Sequence, residues 1–409
     1  MKIIVHLGQG KTGTTALQES LHAAATELRA HKVLYPQFGH GFIAHHLLLP
    51  LCGDPNRLPP WNLETLGGPE AAVEIAQVAW HKTREDIRRN PPELLVLSSE
   101  YLFRTAETVK ARLFGRLSEL SSDITPVIYV RHPVDHCRAR LQQSLKHSNR
   151  HFRPVHENLR QLIHGTDAVF GRSTELVAFA RNELHGNDIV FDFATRFLAP
   201  WVQAANLKSL NANVGLSAEA LVLLAHLRAE AGGSYEASRH VERLIPQLEA
   251  LDRSDPPTQP FTLLPEVAEA ALRSATSHRW LVETGKLHIP GLDVDKIDGA
   301  APPDWMRSAP PESLFLHDPE RLDRLRRSIE LQQSTARSMT GPSTASNRRS
   351  GLGDRLLRFL HRKLDSLQYL NASAAPGRGV RAEVTEERGV NDPLQSALAK
   401  SLAPKGEGQ

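Results

Sequence analysis

Four short runs of branched apolar residues, at 3–7, 94–98, 127–130 and 189–191, lack the alternation of a half-exposed strand. Continuous apolarity is the pattern of strands covered on both faces, so the runs predict a parallel sheet. The stretch between the first two has a different period. Over 15–31, Leu17, Leu21, Ala24, Ala25 and Leu28 fall on one side of a 3.6-residue repeat, which predicts a helix directly after the first strand. Further helices are predicted at 71–89, 109–120 and 135–146. The first half therefore alternates strand and helix, as in an α/β doubly wound domain. From about residue 200 the pattern turns almost wholly helical, with segments at 217–231, 236–251 and 265–284 punctuated by DPPTQP (255–260) and APPDW (301–305). No internal repeat is evident. Residues 338–351 and 371–409 are rich in Ser, Ala, Gly, Pro and charge, a composition expected to be disordered because burial cannot offset its ordering entropy. The expected division is an α/β core over 1–230, a helical region packed on it over 231–337, and a tail over 338–409.

Composition narrows the class without naming a function. At 409 residues, 40% hydrophobic and 23% charged, the chain is ordinary for a globular protein. Its 49 basic and 46 acidic residues leave a net charge of +3, too even for a nucleic-acid coat. The visible excess is local, since 348–363 holds six Lys or Arg against one Asp. Within it, a helix predicted over 352–370 places Leu352, Leu356, Phe359, Leu360, Leu364 and Leu367 on one face, with Arg355, Arg358, Arg362 and Lys363 among the rest. Two uses stay open for it: resting on an anionic inner-membrane surface, or docking back on the core. Two cysteines, Cys52 and Cys137, are too few for a disulfide scaffold and lack metal-ligand spacing, which suits a reducing compartment. The start has no signal-peptide pattern and no run reaches membrane-spanning length, so the expected location is the cytoplasm, with peripheral inner-membrane contact through 352–370 as the alternative.

The clearest chemistry lies between the first strand and the first helix. IIVHLGQGKTGTTALQESL sets Gly8, Gly10 and Gly13 around Lys11, with Thr12, Thr14 and Thr15 opening the helix. Free amides at a helix start, close backbone approach at glycine, hydroxyl donors and a cation together suit an anion. The nucleoside-triphosphate loop G-x-x-x-x-G-K-[ST] does not fit, because Gly13 is followed by Thr14 where that motif needs lysine. GKTGTT instead resembles the 5′-phosphosulfate-binding loop of the sulfotransferase superfamily, a Lys, one residue, then Gly-Thr-Thr. The resemblance spans about 1–230 and implies a P-loop-like parallel sheet flanked by helices, with a helical C-terminal cap on the acceptor side. It also implies 3′-phosphoadenosine-5′-phosphosulfate as donor, bound by Gly10, Lys11, Thr12, Gly13, Thr14 and Thr15, and no metal.

The same family places at a strand end an Arg that, with a Ser eight residues on, holds the donor's 3′-phosphate. TPVIYVRHPVDHCRARLQQ supplies Arg131 at the end of a predicted strand, where α/β sheets bind ligands and a guanidinium can grip phosphate with paired bonds. The eighth position after it is Ala139, which has no donor; either a neighbour such as His136 or Gln143 substitutes, or the donor is held less tightly than is usual in the family. LLVLSSEYLF presents Glu100 at another strand end, and the resemblance makes it a candidate base for the acceptor proton. A cap on the next helix, or a pair with Arg104, is the equal alternative for that carboxylate. HGFIAHHLLLP adds His40, His45 and His46, of which His45 and His46 are secondary candidates for the base or for acceptor contact. The acceptor expected is a hydroxyl or amine, on a carbohydrate or glycolipid; 6% aromatic residues argue against a phenol pocket. Two rivals stand beside this reading. A P-loop nucleotide kinase would need the missing lysine and an acidic strand end for magnesium, and a catalytically weakened nucleotide- or glycan-binding relative would explain Ala139.

Overall fold

The structure, a computed structural model, describes residues 1–339 apart from 148–151, 153–155, 204–206, 211–214 and 233–240. The expected tail over 338–409 and its helix at 352–370 lie outside the described residues, except that 338 and 339 close the last described helix.

Strand β1 (Lys2–His6) leads into helices α1 (Thr14–Ala23) and α2 (Ala25–Ala30), then the short β2 (Val33–Leu34). Helices α3 (Leu48–Leu51), α4 (Pro60–Leu66) and α5 (Pro69–Arg89) precede β3 (Leu94–Ser98), and α6 (Glu107–Ser118) connects it to β4 (Ile124–Arg131). Helices α7 (Pro133–His147) and α8 (Leu159–Phe170) lead to β5 (Glu175–Phe179), followed by α9 (Ile189–Phe193). The five strands form one parallel sheet in the order β2-β3-β1-β4-β5. The fold is thus α/β with helices on both faces of the sheet. Alternate residues of β1 show why: Ile3 and Val5 pack into the layer of α5, α6 and α8, while Ile4 packs with Leu17, Leu21 and Leu28 of α1 and α2.

Three expectations fail here. The run 189–191 is helical, because the Asp188 carboxylate accepts from the amides of Val190 (2.8 Å) and Phe191 (3.1 Å) and caps α9. The strand beside β4 is instead ELVAF at 175–179. It forms the sheet edge, where only Val177 is buried although 176–179 are all apolar. Helix 15–31 is also broken, at Ala24, and helix 265–284 divides in two.

Beyond the sheet come α10 (Ala218–Glu230), α11 (Ile245–Ser254), α12 (Pro265–Arg273), α13 (Thr276–Glu283), α14 (Asp304–Ser308) and α15 (Pro319–Met339), with a two-stranded pairing of Thr262–Leu263 and Phe315–Leu316. Both α10 and α12 pack on α7, so this helical region rests on the helix that follows β4. Arg228 of α10 donates to the carbonyls of Leu145 and Lys146, closing the C-terminal turn of α7. Arg321 of α15 is 1% exposed and bridges Glu219 of α10 (2.5 Å) and Asp252 of α11 (2.6 Å). Cys52 and Cys137 are free and buried. Among the described residues no helix is long and apolar enough to cross a membrane.

Candidate functional site

Parallel strands bring all their C-terminal ends to one edge, and β1 lies at the centre of this sheet between β3 and β4. The segments leaving those three strands, 7–13, 99–100 and 131–132, are therefore neighbours although far apart in sequence.

The β1 segment is a tight, specified turn. The Thr12 hydroxyl is buried and donates to the carbonyl of Gln9 at 2.6 Å, so it closes the turn and faces inward; only the backbone of Thr12 remains for a ligand. Gly8 is required sterically, since a Cβ there would lie 2.4 Å from the Thr14 methyl. Gly13 takes φ +73° as the N-cap of α1, and a Cβ would meet Ile189 Cγ2 at 3.0 Å and Phe179 Cε2 at 3.3 Å. No side chain caps the amides of that helix start. Lys11 itself has φ +71°, a conformation that a side-chain-bearing residue adopts at a cost of ~1–3 kcal/mol and that clusters at ligand sites. The loop thus aims an uncapped helix N-terminus and a strained lysine out of the sheet edge, while Thr15 stays exposed beside them.

Three groups hold this loop from other elements. Arg131 at the end of β4 donates through Nη1 to the Lys11 carbonyl (2.9 Å), its backbone amide donates to Gln9 Oε1 (3.2 Å), and its guanidinium lies over the Phe179 ring, 5.4 Å from the centroid. His136 of α7 is buried under the loop and donates through Nε2 to the Gly10 carbonyl at 3.1 Å. The Lys11 ammonium reaches the exposed Gln143 of α7, with Nζ donating to Oε1 at 2.6 Å. Burial lowers the Lys11 pKa, with Glu100 opposing and Lys146 and Arg131 adding to the depression. His136 and Gln143, the two neighbours expected to substitute for a donor at position 139, thus both face the loop: one under its backbone, the other on its lysine.

Glu100 opens a short 3-10 turn after β3 and accepts from the Thr14 hydroxyl at 3.2 Å. Arg104, its alternative partner, forms its ion pair with Glu157 instead. The carboxylate therefore stands at the start of α1, near Lys11, with no described arginine within ion-pair distance.

The histidines behave differently. His45 is fully engaged: Nδ1 accepts the Ser98 amide (2.9 Å), and Nε2 donates to the Pro36 carbonyl (2.8 Å). Its own amide also donates to the Ser98 carbonyl (2.9 Å), so the residue pins the 36–45 segment to β3 and has no lone pair left for a substrate proton. This geometry gives His45 a structural part in place of the expected secondary base role. His46 contacts the Ser99 hydroxyl through Nδ1 (2.9 Å) and lies on the Tyr101 ring at 4.4 Å. Burial holds both rings at about 4, well below the usual histidine value. Both are neutral at pH 7, and His46 is a weak proton acceptor there.

Lys11, Gly10, Gly13, Thr14, Glu100 and Arg131 are thus brought together. Gln9, His136, Gln143 and Phe179 join them. Gln9 lies inside the glycine motif, and Phe179 ends the apolar run 176–179, the signal in the sequence that marks its strand. Comparison of this chain with family models, curated proteins and solved structures returns no match, so the residues of the site carry the functional reading.

Proposed function

We propose that this protein is a sulfotransferase that moves a sulfuryl group from 3′-phosphoadenosine-5′-phosphosulfate to a hydroxyl or amine, on a carbohydrate or glycolipid acceptor. The observation that carries the reading is the joining of three strand ends around one loop: Arg131 bonds the Lys11 carbonyl, and Glu100 bonds Thr14 of the same loop. On this reading the sheet and its loop are P-loop-like, and the helices after α9 form a cap on the acceptor side.

The uncapped amides at the start of α1 receive the 5′-phosphosulfate. Lys11 leaves Gln143 for the oxygen between phosphorus and sulfur, where negative charge grows as the S–O bond to the phosphate breaks. Glu100 takes the proton from the acceptor as its oxygen or nitrogen bonds to sulfur. Arg131 holds the distal 3′-phosphate. With an in-line donor and acceptor, alignment and fixed charge supply most of the acceleration, as in phosphoryl transfer.

Calorimetric titration with 3′-phosphoadenosine-5′-phosphate and with ATP plus magnesium separates this reading from a nucleotide kinase. Binding of the first and not the second is expected, and the reverse would overturn it. Transfer of sulfate to a panel of glycans then separates an enzyme from a binding relative. In that assay Lys11→Ala should lower kcat by ~10²–10³-fold with its melting midpoint unchanged, because the removed group stabilises leaving charge.

A further inference from the structure

Next to the loop, the same sheet edge gathers positive charge that no described carboxylate answers in full. β4 ends at Arg131, in register with Phe179 of β5, and the chain runs from Phe179 through Ala180 into Arg181. Arg138, in the second turn of α7, joins them. Arg138 and Arg181 stand close enough to depress the Arg131 guanidinium, after burial and against the opposing pull of Asp135. Asp135 is the carboxylate in reach, and it pairs with Arg138 at 2.8 Å. Arg181 is exposed and makes no hydrogen bond or ion pair with any described residue. Arg131 has its Nη1 on the Lys11 carbonyl and one face over Phe179, and it stands two residues before Pro133, at the positive end of α7.

Exposed arginines scattered over a surface need no explanation, because water and salt screen them. Two following adjacent strand ends, with a third on the helix beside them, at the edge where parallel sheets bind ligands, repel one another until an anion enters. The donor carries two anionic groups, and the α1 loop accounts for one. The second must be held without a hydroxyl at position 139, where Ala139 stands.

We propose that Arg181 is the second cationic ligand of the donor's 3′-phosphate, closing on it from β5 while Arg131 holds it from β4. The inference rests on the donor reading above and assigns a residue from outside the two donor motifs. Because the side chain is exposed and has no partner among the described residues, replacing it leaves the fold intact, and its effect is specific to one phosphate.

Wild type, Arg181→Gln and Arg181→Lys would be titrated calorimetrically at one ionic strength with 3′-phosphoadenosine-5′-phosphate and with adenosine 5′-monophosphate, which lacks the 3′-phosphate. Wild type is expected to prefer the bisphosphate. Loss of one charge-assisted pair should weaken the bisphosphate ~10- to 100-fold in Arg181→Gln, with the monophosphate unchanged and part of the loss restored in Arg181→Lys. An unaltered ratio of the two affinities in Arg181→Gln would overturn the role of Arg181 alone, as would an equal loss for both ligands. Failure of the wild type to distinguish the two nucleotides would overturn the donor reading and this inference with it.

Discussion

Glu100 is the side chain whose replacement separates chemistry from architecture most sharply. It bonds Thr14 and pairs with no described arginine, so Glu100→Gln keeps a hydrogen-bonding group of the same size while removing the proton acceptor. If Glu100 is the base, kcat should fall ~10²-fold or more with affinity for the donor product unchanged, and the rate should lose its acidic limb. A purely architectural carboxylate would show the opposite: a lower melting midpoint and preserved turnover in the folded fraction. Gly13 offers the complementary case. Gly13→Ala must hold φ +73° and place a methyl 3.0 Å from Ile189, so a loss of ~1–3 kcal/mol in stability is expected from urea titration. Gly10→Ala is the internal control, since its Cβ would meet nothing within 4 Å and its φ is not in the left-handed region.

Among the elements, α15 is tied to α10 and α11 by one buried cation. Arg321→Met leaves Glu219 and Asp252 buried without their partner, and an uncompensated charge of that kind costs ~3–5 kcal/mol. The urea midpoint should fall accordingly, and Arg321→Met combined with Glu219→Leu and Asp252→Leu should recover most of it; no recovery would show that the helices are held by other contacts. This network was invisible in the sequence because its three members are ordinary polar positions of separate helices. The central strands were legible for the opposite reason. β1, β3 and β4 are covered on both faces, and their unbroken apolar runs say so, whereas β5 has an apolar run at 176–179 of the same kind yet lies half-buried at the edge, and 189–191 reads as strand until Asp188 is seen to cap it. The site divides along the same line. Lys11, Glu100 and Arg131 follow strands that could be recognised. Gln143, His136 and Phe179 reach the loop only through tertiary packing, which no spacing encodes.

Across the whole molecule, acid stability follows from a set of histidines kept neutral by burial. His6, His45, His46 and His156 are lowered to about 4, His278 to about 3 and His136 to about 2, from a usual 6.5. For His136, repulsion from Arg140 adds to burial. Between those values and 6.5 the unfolded chain binds more protons than the folded one, so stability rises with pH. The contribution is complete above about 6.5 and is lost as pH falls toward 4, at ~1.4 kcal/mol per pH unit for each such histidine. The urea midpoint should therefore drop steeply between pH 6.5 and 4.5; a flat profile there would mean that these rings accept protons in the folded state. The sheet order has a consequence of another kind, in the time it takes to make the chain. β1 is synthesised first, yet it lies between β3 and β4, whose pairing with it begins at Leu94 and Ile124. At about 5–20 residues per second, this central strand waits roughly 5–18 s for β3 to be finished and roughly 6–25 s for β4. Slow codons placed before Ile124 should lengthen that wait and raise the aggregated fraction, whereas the same codons placed after α9 should leave it unchanged.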